Sequence, residues 1–478
     1  MNLVSKYKST SVQVKAALWY TVCNFFQKGI SLIVVPIYIR LTTTAEYGVW
    51  TVFQSWRDIL LIFASLNLYC GVYTKKLVDI KPEDRSRYTS SMQGLGTLIS
   101  AFMFIVYLIL REPANSLFEL DTSAMLLLFL YFVTFPSFQF WSTRQRVEYK
   151  YRKMVVATIL LSILTPSVSL LLLKYTELRA NALIYGYLIV QCGFGLVFYV
   201  YLFIKGRVFY DLAYWKYAIK FNIPLIPHYL SLIVLGQADR IMIKYYYSES
   251  EAGIYGFAYQ IASAINVLVS AINGSRVPWT YEQLRDRVYD ELKRISNLLC
   301  VLMGGIVVAV SLLTPDVIHI LGTDKYGGAV YIIPVITMGV YFTFVYDLFC
   351  GVEFYYGATK FVMLASCVGA VLNVILNAIF IPKYGYIAAA YTTLVCYFIF
   401  MFMHLCFMKV VAKKQNITDS IYDLKSIMII SAITIVISFG CMLTFKNNLI
   451  RYLLIAVLAV IAVCYRKKII ALIKQMKK

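Results

Sequence analysis

The sequence predicts an all-α polytopic membrane protein of about 14 transmembrane helices, and three observations carry that prediction. Of 478 residues, 60% are hydrophobic and 14% charged, whereas roughly a quarter of a soluble domain is charged. Long apolar runs recur from one end to the other, and a helix needs about 20 such residues to cross a hydrocarbon core of roughly 30 Å. The 45 Lys and Arg fall mostly into alternate gaps between those runs, the asymmetry that fixes orientation in a bilayer.

Taken in order, the runs are 16–39, 48–72, 90–110, 122–141, 154–173, 182–204, 221–243, 253–273, 295–313, 330–352, 361–381, 385–408, 427–445 and 449–465. The first is too long for a signal-peptide core, lacks a small-residue cleavage site and is interrupted by Gln27 and Lys28, so it is expected to stay as helix one. None alternates with period two and each is about twice a barrel strand in length, which excludes a β-barrel. Pro36, Pro136, Pro166, Pro224, Pro227 and Pro334 fall inside runs and are expected to kink their helices. The longest connections lie around 75–87, 205–216, 276–294 and 409–425, leaving no room for a soluble domain.

The net charge of +21 has the magnitude of a nucleic-acid footprint, but its distribution argues for a membrane and against nucleic acid. With a cytoplasmic N-terminus, 32 cations fall on the inner side and 9 on the outer. Both termini are therefore expected in the cytoplasm, with the outer connections short. Ten cysteines stand singly, with no C-x-x-C pair and no nearby His, and read as small apolar packers. His228, His319 and His404 are too far apart in sequence to suggest a site. No metal, cofactor or catalytic group is expected.

The chain repeats itself. Arg40 closes helix one and Glu46-Tyr47-Gly48-Val49-Trp50 opens helix two; Lys244 closes helix seven and Glu251-Ala252-Gly253-Ile254-Tyr255 opens helix eight. An acid near a new helix N-terminus, a glycine for the bend and an interfacial aromatic suit a reversal at the water boundary. Six helices separate the copies, an even number, so the two lobes are expected to run parallel, related by an axis along the membrane normal. The expected division is 1–205 for helices one to six, 206–410 for helices seven to twelve, and 411–478 for helices thirteen and fourteen with a basic tail.

With the run Asp239-Arg240-Ile241-Met242-Ile243-Lys244 and the segment Ile381-Pro382-Lys383-Tyr384-Gly385-Tyr386, these motifs resemble the polysaccharide flippases of the multidrug/oligosaccharidyl-lipid/polysaccharide (MOP) exporter superfamily, the Wzx-type O-antigen and capsule-unit flippases. The resemblance covers nearly the whole chain, and its motifs specify no substrate. It implies two six-helix lobes cycling between inward-open and outward-open states, in a bacterial inner membrane.

Charge in a bilayer centre costs about 2.5–3.5 kcal/mol on insertion scales, so intramembrane ionisable residues need a partner or water. Tyr20, Asn24, Gln27, Lys28 and Ser31 form a polar stripe on helix one that is expected to face inward, and helix two carries Thr51, Gln54, Arg57 and Asp58 in the same style. Lys28 and Arg57, with Asn24, are candidates to receive an anionic head group such as a lipid pyrophosphate; the competing reading is an interhelical ion pair, for example Lys28 with Asp58. Because helix neighbours at i and i+1 point about 100° apart, neither Arg57 and Asp58 nor Asp239 and Arg240 are expected to neutralise each other. Arg240 is a further substrate candidate or a lobe-to-lobe clamp near a solvated helix end, and Asp58 and Asp239 are candidates for proton or sodium coupling. Asp347 and Glu353 are expected near cytoplasmic water. Gln260 and Asn266, in a polar series on helix eight, suit sugar hydroxyls or interhelical hydrogen bonds equally, as do Asn373 and Asn377 on helix eleven.

The resulting expectation is a flippase for polyprenyl-pyrophosphate-linked oligosaccharide (undecaprenyl type), working by alternating access in O-antigen, lipopolysaccharide or capsule synthesis, with membrane lipids and polysaccharide polymerase machinery as partners and H+ or Na+ coupling. The alternatives are a cation-coupled small-molecule exporter of the same superfamily and a polytopic glycosyltransferase or polymerase. Short outer connections without paired carboxylates speak against the enzyme.

Overall fold

The computed structural model describes residues 11–475, and no strand occurs among them. The helices are α1 (Val12–Leu41), α2 (Thr44–Ser65), α3 (Gly71–Asp79), α4 (Arg85–Ile109), α5 (Arg111–Phe118), α6 (Thr122–Val147), α7 (Tyr151–Tyr175), α8 (Ala180–Gly206), α9 (Leu212–Asn222), α10 (Ile226–Tyr246), α11 (Glu249–Ser263), α12 (Ile265–Asp286), α13 (Tyr289–Leu321), α14 (Ile333–Tyr355), α15 (Thr359–Tyr384), α16 (Tyr386–Lys414), α17 (Leu424–Leu443) and α18 (Asn448–Gln475). Thirteen spans among the described residues are long and apolar enough to cross a membrane, two of them formed by the successive pairs α9–α10 and α11–α12. The remaining predicted run is α2, which has 22 residues but carries Glu46, Arg57 and Asp58. Lys6, Lys8, Lys477 and Lys478, part of the charge argument, lie outside the described residues.

Contacts divide the chain into two compact units, Met1–Ile233 and Val234–Lys478. In the first, α6 and α7 pack on α8. Small residues set that approach: a Cβ on Gly186 would sit 2.4 Å from Ser169 Cα, and one on Gly195 would sit 2.8 Å from the Thr134 carbonyl carbon. Gly186→Ala is therefore expected to destabilise by about 1–3 kcal/mol through overpacking, read as a lowered melting midpoint in detergent. The apolar core gathers Tyr73, Tyr88, Met92, Phe140 and Trp141. Two of its polar tips are bonded inside, with Tyr73 Oη 2.7 Å from Thr89 Oγ1 and Trp215 Nε1 donating to the Ser91 carbonyl at 2.9 Å.

In the second unit α14 is the most buried span, 83% of its apolar window being enclosed, while α16, α15 and α13 pack around it. The α17–α18 hairpin rides on α13 through Val308, Leu312 and Cys441 with Ile455 and Leu458, and Arg451 bonds Asp316 at 3.1 Å. Outward faces remain apolar, with Ile109, Val197, Val436 and Leu443 exposed, as expected of a surface solvated by lipid.

Two local expectations are corrected. The second run does not continue as helix to residue 72: Leu66 and Asn67 take left-handed φ of 46° and 49°, ending α2 at Ser65, and Asn222 Nδ2 caps the turn by donating to the Leu66 carbonyl at 2.9 Å. Pro334 opens α14 at its first turn, where its missing N–H costs nothing, and does not kink a helix interior. Pro224 and Pro227 do interrupt their span, which passes through a 3-10 turn at Ile223–Leu225.

The two motif copies fold alike. Thr43 and Glu46 form a reciprocal capping box, with Glu46 N donating to Thr43 Oγ1 at 3.1 Å and Thr43 N to Glu46 Oε2 at 2.8 Å. Ser248 accepts from Glu251 N at 3.4 Å, and its hydroxyl donates back to the Glu251 carboxylate. Such caps satisfy N–H groups that a helix start leaves orphaned, typically for about 1 kcal/mol. The motif aromatics pack inside the protein: Trp50 and Tyr255 are both buried. Gly385, at φ +78° between α15 and α16, takes a conformation that side chains disfavour.

Where α6 ends and α7 begins, Glu148 gathers Lys150 at 2.6 Å, Arg144 at 2.8 Å and Arg85 at 4.0 Å. Partial burial pushes its pKa up, but the hydrogen bonds from Lys150 and Arg144 win and hold the carboxyl below the ordinary glutamate range. A depressed folded-state pKa adds stability above the unfolded value and loses it as pH falls through the folded one. Melting midpoints are thus expected to drop as pH falls below about 4.3, and Glu148→Gln is expected to remove that share of the pH dependence.

Candidate functional site

Each unit holds buried charged residues on helices that are otherwise apolar. In the first, Arg57 and Asp58 sit midway along α2, with 11% and 27% of their side chains exposed. Contrary to the expectation from helix geometry, they pair: Arg57 Nη2 and Nε donate to Asp58 Oδ1 at 2.7 and 2.9 Å. The 100° offset applies to Cβ directions, and the long guanidinium arm folds back across it. The guanidinium carbon also lies 4.7 Å from the Tyr187 ring centroid on α8, and Tyr187 donates to Tyr131 on α6 at 3.3 Å. Trp50 packs edge-on against the same Tyr187 at 5.7 Å. Arg57 is therefore held in an aromatic seat by a neighbouring carboxylate.

Lys28 and Asn24 share one face of α1, and both are exposed. The expected inward stripe is not enclosed by its own unit: α1 turns Ala16, Cys23, Val35 and Ile39 inward and packs chiefly on α7, and only Tyr20, Gln27 and Ser31 of the stripe are half-buried. Nor does Lys28 pair with Asp58, since no carboxylate lies within bonding distance of it among the described residues.

In the second unit Asp239 on α10 is 1% exposed and fully engaged. Asn377 Nδ2 donates to Oδ1 at 2.6 Å, Thr393 Oγ1 donates to Oδ2 at 2.8 Å, and the Tyr255 hydroxyl donates to Oδ2 as well. A second ring supports these groups: Asn377 also bonds Asn373 at 3.2 Å, Asn373 bonds Thr393 at 3.2 Å, and Thr392 donates to Asn377 Oδ1. The carboxylate is thus met by one amide N–H and two hydroxyl donors, while the oxygens of Asn377 and Asn373 accept from Thr392 and Asn377. Asp239 and Arg240 stay apart as expected, but neither is solvated at a helix end. Arg240 is 8% exposed, donates to Gln237 and lies 4.5 Å from the Tyr259 ring centroid.

Gln260 and Asn266 flank an interruption in their span. At Ala264 the backbone N–H turns to the Ile261 carbonyl at 3.1 Å, while the Ser263 hydroxyl bonds the Gln260 carbonyl at 2.9 Å. The break contains no Pro or Gly. Gln260 is half-buried and Asn266 exposed, and broken membrane helices expose backbone only where protein or water covers it.

Two clusters escaped the sequence reading. Arg276, 2% exposed, bonds Asn273 at 3.0 Å and lies 3.6 Å from Asp347, which Asn273 also bonds. Glu353 does not meet water: it and His404 are both fully buried and bond at 2.9 Å through Oε1 and Nδ1. Cys350 completes a trio with them whose ligand atoms lie within 4.8 Å of one another. The only sequence signal was a carboxylate in an apolar run; its partner is 51 positions away.

The sequence profile of the family described as "Polysaccharide biosynthesis protein" matches residues 13–282. An uncharacterized membrane protein of Haemophilus influenzae is 26% identical over 380 residues, covering 75% of this chain and 88% of that protein. A second protein of that organism, described as Lsg locus putative protein 1, is 28% identical over 161 residues, 33% of this chain and 40% of its own length. Among solved structures, the lipid II flippase MurJ in an inward closed conformation superposes with a TM-score of 0.65 at 15% identity, over 95% of this chain and all of the other. An inward-facing multidrug resistance MATE family transporter of the MOP superfamily superposes with a TM-score of 0.57 at 13% identity, over 81% and 96%. At such identities the likeness establishes the fold.

Proposed function

Because this chain belongs to the polysaccharide biosynthesis protein family, within the MOP superfamily of flippases and transporters, we propose that it is a flippase moving polyprenyl-pyrophosphate-linked oligosaccharide from the inner to the outer leaflet of a bacterial cytoplasmic membrane, for O-antigen, capsule or a related polysaccharide. Both termini are cytoplasmic in this reading, and residues 1–205 and 206–410 are the lobes that rock in alternating access. The observation that carries it is a mid-helix arginine seated on tyrosine beside a carboxylate, in a chain of this family. The pyrophosphate takes Arg57 and Lys28, with Asn24 beside them, and gains more from planar and point cations in a low-dielectric site than a neutral drug would. Arg240, Gln260 and Asn266 serve the sugar, whose hydroxyls both donate and accept.

Uphill movement needs a driving ion. We place Na+ or H+ coupling at Asp239, a buried carboxylate in a polar network with Asn373, Asn377, Thr392 and Thr393. Asp58 serves in this scheme as the carboxylate that exchanges Arg57 for substrate.

Native mass spectrometry of the purified full-length protein tests substrate class. Retention of an undecaprenyl-pyrophosphate-linked oligosaccharide, competed by undecaprenyl pyrophosphate and not by lipophilic cations, is the expected result. Preferential retention of lipophilic cations would favour the small-molecule exporter.

A further inference from the structure

At the end of the first unit where α6 and α8 finish and α1 and α7 begin, a cavity of about 610 Å³ opens between the helices. Six cations line it, Lys15, Arg144, Lys150, Arg152, Lys153 and Lys205, against the single carboxylate of Glu148. Glu148 is already engaged by Arg144 and Lys150, so positive charge remains in excess. A second cavity of about 460 Å³ adjoins it and shares Trp141, Arg152 and Lys153. This one is an apolar groove along α7 and α8, walled by Val156, Leu160, Phe194, Val197 and Phe198. Leu160 and Val197 are exposed on the outward face of these apolar helices.

A basic chamber at the ends of membrane-spanning helices that runs directly into a lipid-facing apolar groove is complementary to an amphiphile with an anionic head. We propose that this is a binding site for an anionic diacyl phospholipid of the surrounding membrane, its phosphate in the Arg152–Lys153 chamber and one acyl chain along Leu160 and Val197. The site is separate from the Arg57 seat, and none of the residues assigned to substrate or ion lines it. Basic pockets between transmembrane helices recognise lipid phosphates by this charge match, each surface cation typically strengthening attraction about fivefold. Occupancy would tie α1, α7 and α8 together at one membrane face.

Palmitoyl-oleoyl phosphatidylglycerol added to the full-length detergent-purified protein, with bound lipid counted by native mass spectrometry, tests this. It is expected to bind far more tightly than phosphatidylcholine. Arg152→Gln/Lys153→Gln is expected to weaken it about thirtyfold, and Lys413→Gln/Lys414→Gln, a charge-matched control on the other unit, to leave it unchanged. Leu160→Gln/Val197→Gln is expected to weaken the long-chain lipid while sparing short-chain dihexanoyl phosphatidylglycerol. Equal binding of both head groups, equal losses in the two charge pairs, or one-for-one displacement by undecaprenyl pyrophosphate would each overturn the phospholipid assignment.

Discussion

Asp239→Ala is expected to be the most damaging single substitution in the second unit. It strands the Tyr255 hydroxyl, the Thr393 hydroxyl and the Asn377 amide in a site sealed from water. Leaving buried polar groups without their charged acceptor costs about 3 kcal/mol or more, which a detergent melting curve resolves. Asp239→Asn is expected to be milder, because one acceptor oxygen survives and the two hydroxyls are free to reorient. The functional result should be the same for both. Saturating Na+ or H+ stabilises a protein that binds it in proportion to ligand occupancy, and that stabilisation is expected for the parent protein and not for either variant. An unchanged ion response in Asp239→Asn would remove Asp239 from the coupling scheme.

Lys28→Ala is expected to lower transport at least tenfold without changing the melting midpoint, because its side chain is exposed and unpaired with any carboxylate among the described residues. Arg57→Ala is expected to lower transport as strongly and also to destabilise, since it leaves Asp58 partly buried and releases the Tyr187 stack. Asp58→Ala separates the two accounts of Arg57. A displaceable counterion predicts tighter pyrophosphate binding in Asp58→Ala, with lost transport because the exchange step is gone. A purely structural pair predicts equal losses of stability in both single variants, recovered in the double variant, and no change in pyrophosphate affinity.

How much of this was legible in the sequence depended on the range of the interaction. Span positions were readable because apolar length is a local property, and Thr43–Glu46 and Ser248–Glu251 announce helix starts for the same reason. The left-handed pair Leu66–Asn67 inside an apolar run gave no such notice, and neither did the break at Ala264. Side-chain partnering was harder. The i, i+1 argument tracked Cβ directions and missed that arginine's arm spans the offset to Asp58. Asp239 was recognised as exceptional, yet its partners Asn377 and Thr393 lie 138 and 154 positions away, and Tyr255 was read as a boundary aromatic before its hydroxyl was seen on the carboxylate. Glu353 and His404 illustrate the same limit, each unremarkable alone and jointly a sealed pair.

The most direct measurement is translocation of an undecaprenyl-pyrophosphate-linked oligosaccharide in proteoliposomes holding the full-length protein, followed as glycan that becomes accessible to an impermeant glycosidase. Protein-dependent exposure of the glycan, abolished by Lys28→Ala and Arg57→Ala and dependent on an imposed ion gradient in the parent protein, is the predicted result. Active protein that exports lipophilic cations while leaving the lipid-linked glycan in its original leaflet would contradict it.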